Sequence, residues 1–482
     1  MAFKSNQLSL GLALFPILIL VILLSYNVLI YGDDALSGSN QFILLLGGAI
    51  AALVGFKEKI SFKDMLNKVS ENLQSVTGAL LILLFVGALA GTWLISGIIP
   101  AMIYYGLQIL HPSIFLPACI IICAIISLAT GSSWTTSATV GIALIGIAKV
   151  LGISQGMAAG AVISGAYFGD KLSPLSDTTN LAPAMAGGEL FSHIRYMTLT
   201  TVPSIIITLI VFFIISFMQT TSGNTDEGLL MLAIKERFNI HLGLFLVPAV
   251  VIYLIIRKIP PLIALLIGTL LGGLFALFFQ KNILIEVVQA TSFSFDVAYK
   301  GIMNAITVAT EIKTTNPLLN DLFSSGGMEG MLGTIWLIIC AMVFGGIMDA
   351  IGALGRISDT LLSWAENTFQ LFASTVASCL AINLTASDQY LSIVIPGKMF
   401  SKAYKKRGLD PKNLSRTLED SGTVTSVLIP WNTCGAYQSG VLGVSVGDYI
   451  FFAIFNWLSP FMTLLYAALK IKIASLKAEK VT

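Results

Sequence analysis

Two stretches of the sequence combine carboxylates with hydroxyl and amide side chains, and both are interrupted by glycine or proline. The first consists of residues 130–139 and 169–180, and the second of residues 383–390, 418–425 and 430–434. Each stretch begins at the end of an apolar run. Hard cations prefer oxygen ligands in proteins, and these residue types supply them together with negative charge. The chemistry that these residues support is therefore the binding of a small cation such as Na⁺, or of a proton.

The carboxylates in or beside these stretches are the candidates for holding the cation or the proton. Within a membrane an acidic side chain is costly and is a functional hypothesis by default, and burial favours the protonated form of a carboxyl group. A group that holds either a proton or a cation, but never both at once, is the simplest device for exchanging the two. The predicted cation- and proton-binding residues are Asp177, Asp170, Asp388 and Asp420.

Each of these carboxylates also has a purely structural explanation. Asp170 precedes Lys171 and could form a local ion pair with it. Asp420 comes shortly after an arginine and could lie at the start of a helix, where the helix dipole favours acidic residues. Asp177 and Asp388 are harder to explain in this way, because hydroxyl and amide side chains surround them. We therefore expect these two residues to line the ion pathway.

Neutral oxygens from the same stretches are expected to complete the coordination, with Na⁺ bound in the region of Asp177. Small polar residues also hold membrane helices together, and for a single stretch that explanation is preferred. The pattern occurs twice at similar spacing, however, which is typical of the binding site of a secondary transporter. The predicted supporting ligands are Ser133, Thr136, Ser176, Thr178, Thr179, Asn180, Thr385, Ser387, Asn432 and Thr433.

The composition of the chain requires a membrane setting for these residues. Of the 482 residues, 56% are apolar and 11% are charged, against about 25% charged in an ordinary soluble domain. The mean hydropathy is +0.88. So few charges could not cover the surface of a soluble protein of this length, which excludes a soluble enzyme and a nucleic-acid-binding protein. The sequence predicts an all-α polytopic membrane protein.

Windows free of Asp, Glu, Lys and Arg mark the expected spans, since about 20 apolar residues cross a bilayer. They predict roughly 10–13 transmembrane helices, some of them broken in the two polar stretches. An interfacial helix plus a loop is expected at residues 281–310. We expect a single transporter domain over residues 1–482 that contains two inverted repeats with broken helices or re-entrant hairpins. The first repeat core is placed at about 72–218 and the second at about 330–470.

Lysine and arginine set the predicted orientation, because cytoplasmic loops carry an excess of them. Basic residues cluster at residues 57–68, 257–258 and 402–412 and in the tail from residue 470 onwards. These loops and both termini are therefore expected in the cytoplasm. The loops expected outside are those at Asp33 and Asp226.

The polar stretches resemble those of a known family. Residues 131–137 and 169–180, together with the Ser-Gly-Gly-Met-Glu-Gly stretch at 325–330, resemble the NhaC family of Na⁺/H⁺ antiporters. The resemblance implies a bacterial inner-membrane protein with an ion-transporter-superfamily fold, re-entrant hairpins, an elevator-like movement and a homodimeric assembly. It also implies Na⁺ and H⁺ as the transported ions. No cofactor and no nucleic-acid partner are expected.

Exchange of cytoplasmic Na⁺ for external protons by alternating access is thus the predicted activity, and other functions stay open. The family includes exchangers that resemble Na⁺/H⁺-linked malate–lactate antiporters, so a coupled exchanger or symporter of a small organic anion is the alternative. An intramembrane protease with Ser133 as nucleophile would need a membrane-embedded histidine as base, and the four-residue Gly-Ser-Ser-Trp pattern is a weak signal. A channel is disfavoured, because paired broken segments with carboxylates suit alternating access. We therefore do not expect an enzyme.

Overall fold

A computed structural model describes residues 8–31, 35, 38–218, 227–314 and 317–476 of the chain. The loops at Asp33 and Asp226 and the tail from residue 477 onwards lie outside the described residues. The helices of the first half are α1 (Leu10–Tyr31), α2 (Ser39–Lys57), α3 (Phe62–Ile95), α4 (Ile98–Ile109), α5 (Pro112–Thr130), α6 (Ser133–Thr136), α7 (Ile142–Val150), α8 (Gln155–Leu172), α9 (Asp177–Ala186), α10 (Leu190–Met218) and α11 (Glu227–Arg237).

The second half continues in the same way, with one short pair of strands, β1 (Thr310–Glu311) and β2 (Ser324–Ser325). Residues 281–310 form two short helices with a turn between them, followed by the start of β1. The helices are α12 (Leu246–Ile256), α13 (Pro261–Phe279), α14 (Lys281–Val287), α15 (Phe295–Thr307), α16 (Pro317–Leu322), α17 (Leu332–Ala350), α18 (Ala353–Ser363), α19 (Thr368–Thr385), α20 (Gln389–Lys406), α21 (Pro411–Leu418), α22 (Thr433–Leu442), α23 (Val446–Tyr449) and α24 (Ile454–Ala468).

The predicted all-α membrane architecture is confirmed. Among the described residues, nine helical segments are long and apolar enough to cross a membrane, or ten if the pair α11–α12, bent by 83°, counts as one span. The count of ten equals the lower end of the predicted range of 10–13 transmembrane helices. The shorter apolar helices α4 and α24 fall outside that count. Broken helices are present as well, and they lie in the two polar stretches.

Two turns of π-helix lie next to the breaks. Ser137–Gly141 joins α6 to α7, and Glu419–Thr423 follows α21 directly. A π-helical turn adds one residue to the helical repeat and so changes which side chains face a given direction; such turns occur frequently at functional sites. The side chains of Thr136 and Asp420 therefore cannot be placed from α-helical spacing alone.

Small residues allow α5 and α8 to pack with their backbones in close contact. Gly165 lies against Ile120, and Gly169 lies against Ala124 and Leu128. A β-carbon at either glycine would collide with the backbone of α5, which is why small residues are favoured where membrane helices pack closely. The residue numbers rise together along the contact, so the two helices run parallel.

Turns between helices line two separate grooves. Ser154 and Gly156 line one groove together with Gly443 and Asp448, and we call residues 151–156 and 443–448 the turn face. Residues 187–189 line another groove with residues 410–412. The backbone N–H of Asp410 donates to the carbonyl of Ala474 at 3.0 Å. Residues 187–189, 409–412 and 472–474 are called the basic face below.

The two halves of the core cross between these faces in opposite directions. α8 begins at the turn face and α9 ends at the basic face. α21 begins at the basic face and α22 ends at the turn face. The two polar stretches therefore sit in chain segments that run antiparallel to each other.

Candidate functional site

Four interruptions of the helices form the centre of the molecule. They lie between α5 and α6, between α8 and α9, between α19 and α20, and just before α22. In each case a side-chain oxygen caps the next helix by accepting a backbone N–H two or three residues further on, at 2.9–3.4 Å. This satisfies backbone donors that a helix start leaves free. The capping residues are Ser132, Ser176, Asp388 and Asn432.

Close contacts join the interruptions in pairs. Gly131 has a φ of +70°, and a β-carbon there would lie 2.6 Å from Cβ of Leu175 and 2.9 Å from the backbone nitrogen of Ser176. In the second half, the N–H of Thr433 donates to the carbonyl of Ser387 at 2.9 Å. Glycine at residue 131 thus permits both the left-handed turn and the contact between the first two breaks.

An aromatic pair connects the two halves. The rings of Trp134 and Tyr437 stack with centroids 3.9 Å apart. The Tyr437 hydroxyl also donates to the carbonyl of Trp134 at 3.1 Å. The first polar stretch therefore contacts α22, which begins in the second polar stretch about 300 residues further along the chain.

A cavity of about 560 Å³ lies where the four interruptions meet. Its opposite wall is formed by α3 and by the segment that links α12 to α13. Residues from every one of the four breaks line it: Thr130, Gly131 and Ser132, then Pro174, Leu175, Ser176, Asp177 and Thr178, then Asp388, Gln389 and Tyr390, and Thr433. Asp170 lines the same cavity from the end of α8.

Asp170 is held in place by the start of the neighbouring helix. Its Oδ2 atom accepts a hydrogen bond from the backbone N–H of Ser133 at 3.0 Å and another from the Ser133 hydroxyl at 2.7 Å. Both bonds hold the carboxyl group in one orientation. Ser133 therefore orients Asp170, and the hydroxyl that a serine protease would need lies against a carboxylate.

Asp177 is the most accessible of the cavity carboxylates. It is the first residue of α9 and it is exposed. Its side chain makes no hydrogen bond or ion pair with any other residue that the structure describes. Its carboxylate oxygens are therefore free to bind an ion that enters the cavity.

Asp388 is almost fully buried, with 1% of its surface exposed. Its Oδ1 atom caps α20 by accepting the N–H of Leu391 at 2.9 Å. Within the described part of the chain, no donor reaches Oδ2. The preceding residue, Ser387, has a φ of +59°, a strained conformation for serine that is common at binding sites. One carboxylate oxygen of Asp388 thus caps α20, and the other has no partner among the described residues.

Asp420 lies in a different cluster. It is fully buried and forms an ion pair with Lys171, whose side chain is also fully buried. Its other oxygen accepts from the Thr200 hydroxyl at 2.8 Å and from the Thr463 hydroxyl. The lysine therefore pairs across the two halves rather than with its neighbour Asp170, and protein donors already occupy both oxygens of Asp420.

Some of the predicted supporting ligands line the cavity, and others donate hydrogen bonds to protein groups. Ser176, Thr178 and Thr433 line the cavity. The amide of Asn432 donates to the carbonyl and the side-chain oxygen of Asn383 at 3.1 and 3.2 Å. The others that donate to protein groups are Ser133, Thr136, Thr179, Asn180 and Thr385. The hydroxyl of Ser387 is buried without a partner among the described residues.

Comparisons with known proteins identify the family. A model of the Na⁺/H⁺ antiporter family matches residues 165–471. The NhaC Na⁺/H⁺ antiporter of Alkalihalophilus pseudofirmus is 39% identical over 424 residues, which is 88% of each chain. The chain belongs to the Na⁺/H⁺ antiporter family. The resemblance to NhaC proteins expected from the polar stretches is thereby confirmed.

Other relatives of this family member carry different names. The malate-2H⁺/Na⁺-lactate antiporter of Bacillus subtilis is 38% identical over 422 residues, 87% of this chain and 86% of that one. Among solved structures, MtrF of Neisseria gonorrhoeae matches over 96% of each chain with a TM-score of 0.41 and 12% identity.

Several cavity residues of this antiporter-family chain are not predicted by its sequence. Lys258 contributes a positive charge to the cavity wall, and Trp134 and Gln389 line it too. Trp134 stands inside the first polar stretch, but Lys258 belongs to a basic pair that indicates only a cytoplasmic loop. Its position at the cavity depends on the bend before α13, for which the sequence signal is Pro260 and Pro261.

The cavity combines charges of both signs without concentrating them at one point. Its described lining carries Asp170, Asp177, Asp388 and Lys258. No group of three or more acidic, histidine or cysteine side chains in the described residues is close enough to hold a metal ion together.

Proposed function

We propose that this chain exchanges Na⁺ for H⁺ across the membrane, with the two ions competing for the carboxylates of the cavity. The observation that carries the proposal is the convergence of Asp170, Asp177 and Asp388, from three different helix breaks, on one cavity. The hydroxyls of Ser176, Thr178 and Thr433 add neutral oxygens there. A carboxylate that binds Na⁺ must first lose its proton, and a protonated carboxyl group no longer attracts the cation. This exclusion couples the two fluxes in opposite directions.

The packing supports alternating access through movement of one part against another. The broken helices pack together, since α9 contacts both α20 and α21. A second body is formed by α3, which packs against α13 and α17. The cavity lies between the two bodies, with the helix breaks on one side and Ser75, Val76 and Pro261 on the other. Sliding of the first body along the second, as in an elevator, would carry the bound ion across.

We also infer that the two polar stretches belong to inverted repeats with cores at about 72–218 and 330–470. The opposite crossing directions of α8–α9 and α21–α22 support this inference. Lys258, one of the basic residues expected in the cytoplasm, stands at the cavity. The conformation described is therefore proposed to be open to the cytoplasm, in a bacterial inner membrane with both termini inside. Homodimer formation stays a proposal that the mass of the purified protein in detergent would test.

Exchange or symport of a small organic anion is the alternative function. Lys258 favours it, because a lysine on the wall of the cavity could bind a carboxylate of the substrate. The name of the Bacillus subtilis relative, a malate-2H⁺/Na⁺-lactate antiporter, points in the same direction. In that case the anion and the cation would share the cavity.

Transport by the purified protein in liposomes separates these functions. A Na⁺ gradient is imposed across vesicles that hold a pH-sensitive dye, with and without malate or lactate. Na⁺/H⁺ exchange predicts proton movement driven by Na⁺ alone. Proton movement that depends on malate or lactate would favour the organic-anion exchanger, and proton movement without dependence on Na⁺ would contradict both.

A further inference from the structure

A groove on the basic face shares no lining residue with the cavity at the helix breaks. This groove of about 630 Å³ is bounded by the start of α10, the start of α21 and the segment 472–474. Three cationic side chains line it, from Arg195, Lys412 and Lys472, with one carboxylate from Glu189. These residues come from three separate parts of the chain, so the concentration of positive charge arises from the fold.

The cations of the groove are poorly neutralised by the protein. The side chains of Arg195 and Lys472 make no hydrogen bond or ion pair with any other described residue. Lys412 lies 3.6 Å from Asp410, and both side chains are partly exposed, so this ion pair contributes little. Glu189 caps α10, where its oxygens accept the N–H groups of Phe191 and Ser192 at 3.2 and 3.1 Å.

A buried arginine next to the groove adds to this positive charge. Arg416 is fully buried, and within the described chain none of its three guanidinium nitrogens has an acceptor. Its guanidinium carbon lies 4.5 Å from the ring centre of Tyr196, and Tyr196 forms part of the wall of the groove. The buried cation therefore packs against a residue that lines the groove. An anion in the groove would gain attraction from Arg416 as well.

The position of the groove beside a membrane-spanning helix indicates which kind of anion it would bind. α10 is one of the helices able to span a membrane, and the groove surrounds its first turns. Phe191, on the groove wall, is 63% exposed. Beyond it the same helix exposes Val202, Ile206, Ile210 and Phe213. An apolar surface that leads directly into a basic groove fits the acyl chains and the phosphate of one molecule.

We propose that this groove binds the phosphate of an anionic phospholipid, whose acyl chains lie along α10. The ligand would connect the start of α10, the start of α21 and the C-terminal segment. Basic pockets between membrane helices on the cytoplasmic side are suited to such headgroups. The site is separate from the ion cavity, so the proposal does not depend on which ions are transported.

The test compares lipid binding by the full-length protein and by two variants that lose the same charge. In the first, Arg195→Gln, Lys412→Gln and Lys472→Gln are combined. In the control, Lys402→Gln, Lys405→Gln and Lys406→Gln remove three exposed cations nearby that do not line the groove. Each protein is equilibrated in mixed micelles with phosphatidylglycerol and phosphatidylcholine, and bound lipid is counted by native mass spectrometry.

Wild-type protein and the control variant should retain phosphatidylglycerol in preference to phosphatidylcholine. The groove variant should lose at least about tenfold in this preference, since each basic residue near an anionic headgroup contributes roughly 1 kcal/mol. The single variant Arg195→Gln, which removes an exposed side chain without a partner among the described residues, should show a smaller loss in the same direction. It keeps the test valid if the triple variant is unstable.

Two outcomes would overturn the proposal. Equal losses in the groove variant and the control would indicate attraction to a general basic surface. A second experiment adds inorganic phosphate instead of lipid and measures the thermal unfolding temperature of the protein. If phosphate at millimolar concentration raised that temperature as much as phosphatidylglycerol does, and displaced the lipid, the groove would be a site for soluble phosphate.

Discussion

The three carboxylates of the cavity differ in what already binds their oxygens. Asp170 receives two hydrogen bonds from Ser133, and Asp388 receives one from a backbone N–H. The carboxylate of Asp177 receives none from the described residues and is exposed. The first two are thus rigid parts of the site, while Asp177 is free to change partners. Among the carboxylates that we propose to exchange a cation for a proton, this ranks Asp177 first.

Replacing Asp177 should therefore separate transport from folding. Asp177→Asn is expected to abolish Na⁺-driven proton movement, because the amide keeps the shape but carries neither charge nor exchangeable acid. Its unfolding temperature should stay close to that of the wild type, since the carboxylate has no partner to lose among the described residues. Dye-reported exchange in liposomes and thermal unfolding measure the two effects.

The matched control is Asp296→Asn, an exposed carboxylate of α15 that does not line the cavity. It should transport like the wild type. Exchange at the wild-type rate in purified Asp177→Asn protein would remove Asp177 from the site.

Asp420 should respond in the opposite way. Asp420→Asn leaves Lys171 buried without a full counter-charge, and breaking a buried ion pair from one side typically costs about 3–5 kcal/mol. The unfolding temperature should therefore fall markedly. Combining it with Lys171→Met removes both charges and should recover part of the stability. A stable Asp420→Asn protein with an altered Na⁺ dependence would instead identify Asp420 as an ion ligand.

At the scale of the elements, the contact between the first two helix breaks depends on one glycine. Gly131→Ala places a β-carbon 2.6 Å from Cβ of Leu175 and adds the strain of a left-handed alanine, about 1–2 kcal/mol. Gly152 has a similar φ of +68°, but a β-carbon there would meet no atom within 4 Å. Gly131→Ala should therefore lose both stability and exchange, whereas Gly152→Ala should lose only the strain energy.

Thermal unfolding and transport of the two alanine variants check this prediction. Equal, small effects would mean that the breaks can separate without consequence for the site. A loss of exchange confined to Gly131→Ala would show that the spacing between α5 and α9 controls the geometry around Asp177.

For the whole molecule, the contacts define two faces, and the distribution of lysine and arginine predicts which one is cytoplasmic. Residue 405 lies at the end of α20 next to the basic face, and residue 154 lies on the turn face. In a cysteine-free version, a single cysteine replacing Ser154 should react with an impermeant thiol reagent in whole cells. Single cysteines replacing Ile60 or Lys405 should react only after the membrane is opened. Labelling of residue 405 from outside would reverse the proposed orientation.

The membrane class, the helical fold and the family could all be predicted from the sequence. Hydropathy and charge are summed along the chain, so the spans of α1, α2 and α13 are evident without any knowledge of packing. The two polar stretches are recognisable for a similar reason, because Gly, Pro and carboxylates inside apolar runs are local features. Asp170, Asp177 and Asp388 follow from that pattern, and the structure brings them to one cavity.

The partners of each side chain were decided by tertiary structure. Asp420 and Asp388 look alike in sequence, yet Asp420 pairs with Lys171 from the other half of the chain. Asp420 lies within the π-helical turn Glu419–Thr423, and helical spacing does not predict such a turn. Lys258 reaches the cavity because α12 packs on α13 and α13 in turn packs against α3. Contacts between residues far apart in sequence depend on how the helices pack in three dimensions. Burial and close packing select among the possible arrangements as the chain folds, and neither can be read from a local stretch of sequence.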